Sequence, residues 1–291
     1  MKDFEAFQFG RSRRGSTATR LIALCCLIGA VSAVARADDV PISPWTKGFN
    51  NEARLLAGAA ETAEGAKNFA GFEISMPPGW KTYWRTPGEA GGVPPEFDWS
   101  GSENLASAKV LYPAPHRLID KAGATIGYKD RVLFPIEIKS ADPSKPIVLR
   151  LKAAYGVCKE ICIPAEAEIS LEVPPVVTPS SEIADAIGTV PLSVPRADRD
   201  PTLARWSLET QSEKPRLLLE VADPAGASVD AFVEAPDGIF LPLPQPIGAK
   251  GTLALFEVDL GDADVRTLSG KALTVTLVGA KGQSETTIKL K

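Results

Sequence analysis

The chain reads as all-β, two successive immunoglobulin-like β-sandwiches behind a signal peptide, and three observations carry that expectation. Its 25 prolines and 24 glycines are spread along 291 residues rather than clustered, which suits many short strands joined by turns and argues against long helices. Runs such as 165–173 (AEAEISLEV) alternate with a period of two, which puts Ala167, Ile169, Leu171 and Val173 on one face. Such runs recur in both halves of the chain, separated by turn residues at the spacing of a sandwich. With 44% hydrophobic and 23% charged residues the composition is that of a globular protein, and the length fits two domains.

Residues 1–37 form an address. Arg11, Arg13, Arg14 and Arg20 precede an apolar stretch, 21–34, that exits at Ala35-Arg36-Ala37, an A-x-A cleavage pattern. That stretch is shorter than the roughly 20 residues needed to cross a bilayer. Ser12-Arg13-Arg14 hints at twin-arginine export, but the favoured reading is the long basic start of an ordinary secretory signal. Cys25 and Cys26 lie inside the apolar run behind the bulky Leu24, so neither reads as a lipoprotein cysteine. Cleavage after Ala37 gives a periplasmic protein with no stable membrane insertion.

The first domain of the exported chain, 38–175, opens with strand patterns at 52–59 and 68–76, the second ending at Pro77-Pro78-Gly79. Trp80, Tyr83 and Trp84 follow, then a turn-rich stretch from Thr86 to Pro95. A short alternation at 96–99 (EFDW) and a strand at 131–138 (RVLFPIEI) come next, with Pro135 marking the latter as an edge or a bulge. Two clean strands, 147–155 and 165–173, then flank the cysteines. Residues 176–200 read as a Pro-rich linker around a short helix, 181–187, capped by Ser181. Linkers of this composition mark places where few contacts cross. A second β-sandwich, 201–291, has strands expected at 205–208, 216–221, 229–234, 253–260, 272–278 and 285–290. Nothing in it carries chemistry, so it reads as a spacer or docking domain, and a fragment ending near Val177 is expected to fold and react alone.

Charge and histidine content exclude several functions. The formal charge is −4, and removing a leader with six basic and two acidic residues leaves about −8, which opposes binding to nucleic acid. The single histidine, His116, excludes any site needing two imidazoles. No cofactor or metal site is indicated.

Export leaves two cysteines, Cys158 and Cys162, in Gly156-Val157-Cys158-Lys159-Glu160-Ile161-Cys162-Ile163-Pro164. On one extended strand they would lie ~13 Å apart, beyond the ~7 Å limit of a disulfide. Strand patterns stop before one and resume after the other, so 159–161 reads as a hairpin tip with the cysteines as cross-strand neighbours. Closing a five-residue loop stabilises by only about 2 kcal/mol. Such a bond leans towards one that opens and closes by thiolate attack. A passive staple and a Cu(I) site stay open as alternatives, the latter short of a third ligand, with only His116, Met76 and Met1 to draw on. Lys159 favours a thiolate and Glu160 opposes it.

The segment resembles the N-terminal periplasmic domain of the thiol reductase DsbD and, more closely, the matching region of its relative ScsB. The resemblance rests on several stretches in one order, spanning about 45–175. They are Pro78-Gly79-Trp80-Lys81-Thr82-Tyr83-Trp84-Arg85, Pro87-Gly88-Glu89-Ala90-Gly91, Phe97-Asp98-Trp99, Tyr112-Pro113-Ala114-Pro115-His116-Arg117, Gly127-Tyr128-Lys129-Asp130 and the cysteine segment itself. It implies an immunoglobulin-like sandwich whose cysteine pair takes electrons from a membrane-embedded thiol reductase and passes them to exported client proteins. It also implies that Cys162 is bridged to partners and that Cys158 resolves the bridge. Two features depart from the family's best-known members, which space the cysteines more widely and cover the disulfide with an aromatic and acidic cap loop. Here the matching loop, Leu118-Ile119-Asp120-Lys121, has one acid and no aromatic.

The reading is therefore a periplasmic thiol–disulfide interchange protein acting through Cys158 and Cys162. The alternative is a non-redox β-sandwich that binds Cu(I) or a protein. Trp80, Tyr83, Trp84 and Trp99 are expected to pack in the sandwich core or its loops rather than to form a client-binding surface, His116 to lie in a turn without chemical duty, and Asp130 and Arg131 at a turn and strand edge.

Overall fold

Alternating apolar residues draw the chain into strands, and in the computed structural model these strands form four sheets. The structure describes residues 40–290 apart from 63, 64, 122, 211–213 and 227. The expected signal peptide and its cleavage after Ala37 lie outside the described residues.

The first sandwich contains β1 (Thr46–Gly48), β2 (Asn51–Thr62), β3 (Gly65–Ser75), β4 (Lys81–Tyr83), β5 (Glu96–Asp98) and β6 (Leu105–Val110). It continues with β7 (His116–Asp120), β8 (Gly123–Lys129), β9 (Arg131–Ser140), β10 (Ile147–Cys158) and β11 (Cys162–Val173). One sheet runs β1-β2-β3-β9-β6 and the other β11-β10-β4-β8-β7, with β5 also on β10. Between them lies a core in which Phe72, Phe134, Trp84, Tyr155, Leu149 and Leu151 are fully buried. The inward face of β11 is the one its alternation predicts: Ala167, Ile169, Leu171 and Val173.

β9 corrects one expectation, because Pro135 sits in a strand flanked on both sides, by β3 and β6. The carbonyl of Pro135 accepts from the Leu111 amide at 2.8 Å, just past the end of β6. The N–H and C=O of one residue in an antiparallel strand point to the same neighbour. The missing donor therefore falls where pairing with β6 has already stopped.

The Pro-rich stretch is anchored rather than free. Helix α1 (Ser181–Gly188) is capped by Ser180, one residue earlier than expected, whose Oγ accepts from the Ile183 amide at 3.3 Å. Ile183 buries completely with Leu56, Ala60 and Phe69.

The second sandwich contains β12 (Thr202–Glu209), β13 (Arg216–Ala222), β14 (Asp230–Glu234), β15 (Gln245–Lys250), β16 (Leu253–Asp259), α2 (Asp262–Leu268), β17 (Ala272–Val278) and β18 (Gln283–Lys289). Its sheets run β12-β13-β16-β15 and β14-β17-β18, closing on Leu217, Leu219, Val221, Val258, Val275 and Leu277. The two immunoglobulin-like sandwiches are not separated by the linker. Phe232 of β14 and Leu243 bury in the core of the first sandwich, and the described residues of both sandwiches fall in one compact unit. Among the described residues no helix is long and apolar enough to cross a membrane.

Candidate functional site

β10 and β11 pair through 12 residues each, and the register ends at Cys158 opposite Cys162. The two Cα atoms are 4.2 Å apart and the sulfurs are joined in a disulfide. Lys159, Glu160 and Ile161 form the hairpin tip, as the flanking alternation predicts, and the Lys159 amide bonds to the Ile161 carbonyl at 3.2 Å. The two sulfurs differ in access: Cys158 is buried, with 1% of its surface exposed, whereas Cys162 is exposed.

Tyr83 is the residue that sequence reasoning placed in the core without a role at the site. Only 2% of it is exposed, and its Oη lies 2.8 Å from Cys158 Sγ and 3.0 Å from Cys162 Sγ. Disulfide sulfurs carry no hydrogen, so the phenol is the donor. Burial, and then the negative charge of Asp120, raise the pKa of Tyr83, which keeps the proton on the donor. Its ring lies in a slot built by absence of side chain. A Cβ on Gly92 would collide with three carbons of the ring, and one on Gly156 would come within 3.1 Å of it. The turn-rich stretch after Trp84 thus forms one wall of the slot, and the strand bearing Cys158 forms the other.

β4 carries the rest of the site. It lies between β10 and β8, with Lys81 opposite Cys158 and Thr82 opposite Val157. Thr82 Oγ1 donates to the Gly156 carbonyl at 2.8 Å, fixing β4 against the hairpin. Lys81 is buried and donates to Asp120 at 2.6 Å and to Thr125 at 2.8 Å. Asp120 and the exposed Ile119 belong to the β7–β8 hairpin, at the position matched to a cap loop. The acid therefore faces a lysine and acts on Tyr83.

His116 opens β7 opposite Gly127, exposed, in a strand rather than a turn. Trp84 is buried, while Trp80 and Trp99 are partly buried against the core. Asp130 turns the chain between β8 and β9 with φ of 62° and accepts from the Gly79 amide at 2.8 Å. Among the described residues no group of three or more His, Cys, Asp or Glu converges as a metal site.

A β-sandwich carrying a cysteine pair at a hairpin tip, one sulfur buried and one open, has the geometry that a thiol–disulfide interchange domain requires. Residues 52–174 match the family described as "Thiol:disulfide interchange protein DsbD, N-terminal". Residues 52–174 thus form a domain of the DsbD N-terminal type. Its structure is similar to that of the N-terminal periplasmic domain of ScsB from Proteus mirabilis, with a TM-score of 0.66 and 23% sequence identity. The match covers 87% of this chain and 99% of that one. This is a likeness of fold, and it extends well beyond 52–174, so it takes in the second sandwich. A comparison with curated proteins finds no match.

Proposed function

We propose that the protein is a periplasmic thiol–disulfide interchange protein that relays electrons through a reversible Cys158–Cys162 disulfide. Its partners would be a membrane-embedded thiol reductase and exported client proteins. The observation that supports this best is the asymmetry of the pair. A donor thiolate attacks the open sulfur of Cys162, the S–S bond breaks, and Cys158 leaves as a thiolate beside the Tyr83 hydroxyl. A second donor thiolate then attacks its own sulfur in the mixed disulfide and frees Cys162. Two electrons enter the pair, and the donor thiols leave as a disulfide.

Discharge runs in reverse. The Cys162 thiolate attacks a client disulfide, and Cys158 then attacks Cys162 to expel the reduced client. The phenol proton favours the charged sulfur at each stage, because a hydrogen bond to an ion is stronger than one to a neutral acceptor. We assign 38–175 as the cysteine-bearing domain and 201–291 as the second one, joined through 176–200. The test is the midpoint of the pair against a thiol buffer. A carrier titrates within reach of thiol partners, and a midpoint below about −300 mV marks a structural bond and overturns the reading.

A further inference from the structure

The geometry points to the second sandwich as the element that sets the reactivity of the disulfide, with Arg85 as its positioning residue. This rests on the interchange reading for its purpose, though not for its measurement. The segment that starts at Lys81 serves two neighbours. Its first part, Lys81 to Tyr83, faces the cysteines. Three residues just beyond are held by the second sandwich. Arg85 grips Glu234 of β14 through Nε and Nη2, at 3.0 and 2.6 Å, and also bonds to Glu285 of β18. Thr86 Oγ1 donates to Glu234 at 2.6 Å, and Glu89 Oε1 accepts from the Leu243 amide at 2.8 Å.

These anchors bracket the slot. Arg85 is two residues after Tyr83, in the bend that follows β4. Glu89 is three residues before Gly92, which closes on the Tyr83 ring. Neither end of the loop can move from its partner in the second sandwich without moving a wall of the slot. Strong bonds hold the clamp: burial disfavours the Arg85 charge, yet Glu234 and Glu285 outweigh it and raise its pKa. Bidentate arginine–carboxylate contact fixes direction as well as distance, which is what a positioning role requires. A spacer needs none of these contacts to reach across β4 towards the site.

If the clamp acts through Tyr83, loosening it withdraws the phenol from the sulfurs. The thiolate then loses a bond worth about tenfold in equilibrium, and the balance moves towards the disulfide. The experiment uses the full chain and five forms: wild type, Arg85→Gln, Glu234→Gln, Tyr83→Phe and the double variant Tyr83→Phe/Arg85→Gln. Each is equilibrated with dithiothreitol in mildly alkaline buffer, and the alkylation rate of the reduced pair is followed against pH. The expected result is that Arg85→Gln and Glu234→Gln each lower the reduced-to-oxidised ratio about tenfold, ~30 mV for a two-electron couple. Both should also move the alkylation profile to higher pH, and Arg85→Gln should add nothing when Tyr83 is already Phe.

Circular dichroism establishes which variants fold. Glu234→Gln removes the charge from the other side of the clamp and carries the test if Arg85→Gln does not fold. Folded clamp variants within twofold of wild type in both readouts overturn the inference. So does a shift from Arg85→Gln that persists undiminished in the Tyr83→Phe background. A wild-type midpoint below about −300 mV sinks the interchange reading instead, and the comparison among variants still decides the coupling.

Discussion

Around Tyr83 the first sandwich buries a phenol, an ammonium group and a sulfur side by side, while the core of the second is lined by leucine and valine with Phe256 among them. Cys158 and Cys162 and all four tyrosines (Tyr83, Tyr112, Tyr128, Tyr155) lie in the first. The second instead presents carboxylates at the junction: Asp230 and Glu234 on β14 and Glu285 on β18. These receive Arg117 at 2.7 Å and Arg85 at 2.6 Å. Chemistry and its support are thus divided. Polar groups gathered around a sulfur weaken the core that holds them, and a second, plainly apolar sandwich can brace that end of the sheet from outside.

The largest effect that would break this comparison is all-or-none. Cys162→Ser should abolish exchange with a small disulfide reagent, whereas Cys158→Ser should still form one mixed disulfide, at Cys162. Mass spectrometry of the adducts reads both outcomes. Equal adduct formation by the two variants would mean that the difference in sulfur access does not govern attack.

Alkali separates the sandwiches next. Burial raises the pKa of all four tyrosines, Tyr155 to about 12, and neighbouring charges add smaller effects to the other three. A tyrosine whose folded pKa is raised contributes stability that is complete below its unfolded value, about 10. That contribution is lost as the pH climbs through the folded values. The first sandwich should therefore open above about pH 10, with tyrosinate absorbance and the fluorescence of Trp45, Trp80, Trp84 and Trp99 changing together. The second, without tyrosine, should retain strand signal in circular dichroism. Loss of all strand signal in a single step would show that the two sandwiches unfold as one unit.

Smaller still is the cost of filling the slot. Gly92→Val places carbon where the Tyr83 ring stands, and overpacking of this kind costs about 3 kcal/mol. Urea unfolding measures it. The same change at Gly91, also at positive φ but where a Cβ meets nothing within 4 Å, should cost less than half as much. Equal costs would mean that the slot is not tight.

What could be read from sequence follows from distance along the chain. The hairpin of β10 and β11 is legible because each strand alternates and only three residues lie between the cysteines. The buried faces of β11 and β17 are legible for the same reason. β4 is three residues long, so it offers no period to detect, and β15 is exposed at every residue and shows no apolar face. Tyr83 meets sulfurs 75 and 79 residues away, and Arg85 meets carboxylates 149 and 200 residues away. No local pattern encodes such pairs. They depend on how the sheets stack.

The smallest effect distinguishes two ways of removing the disulfide. A five-residue loop contributes about 2 kcal/mol through the unfolded chain, so the double serine variant should fold, with a loss of that size and no change in the second sandwich. Serine hydroxyls at 158 and 162 can still accept the proton of Tyr83, whose Oη lies within 3.0 Å of both sulfurs. Alanine cannot, and a buried phenol left without an acceptor costs about 1–3 kcal/mol more. The double alanine variant should therefore be the less stable of the two, by at least about 1 kcal/mol in urea. In a Tyr83→Phe background that gap should close, because no donor remains to be stranded. A gap that survives in that background would place its cause in the packing of residues 158 and 162 themselves. The phenol would then be a neighbour of the disulfide rather than its partner, and the polar character around the cysteines would rest on Lys81, Thr82, Asp120 and Thr125.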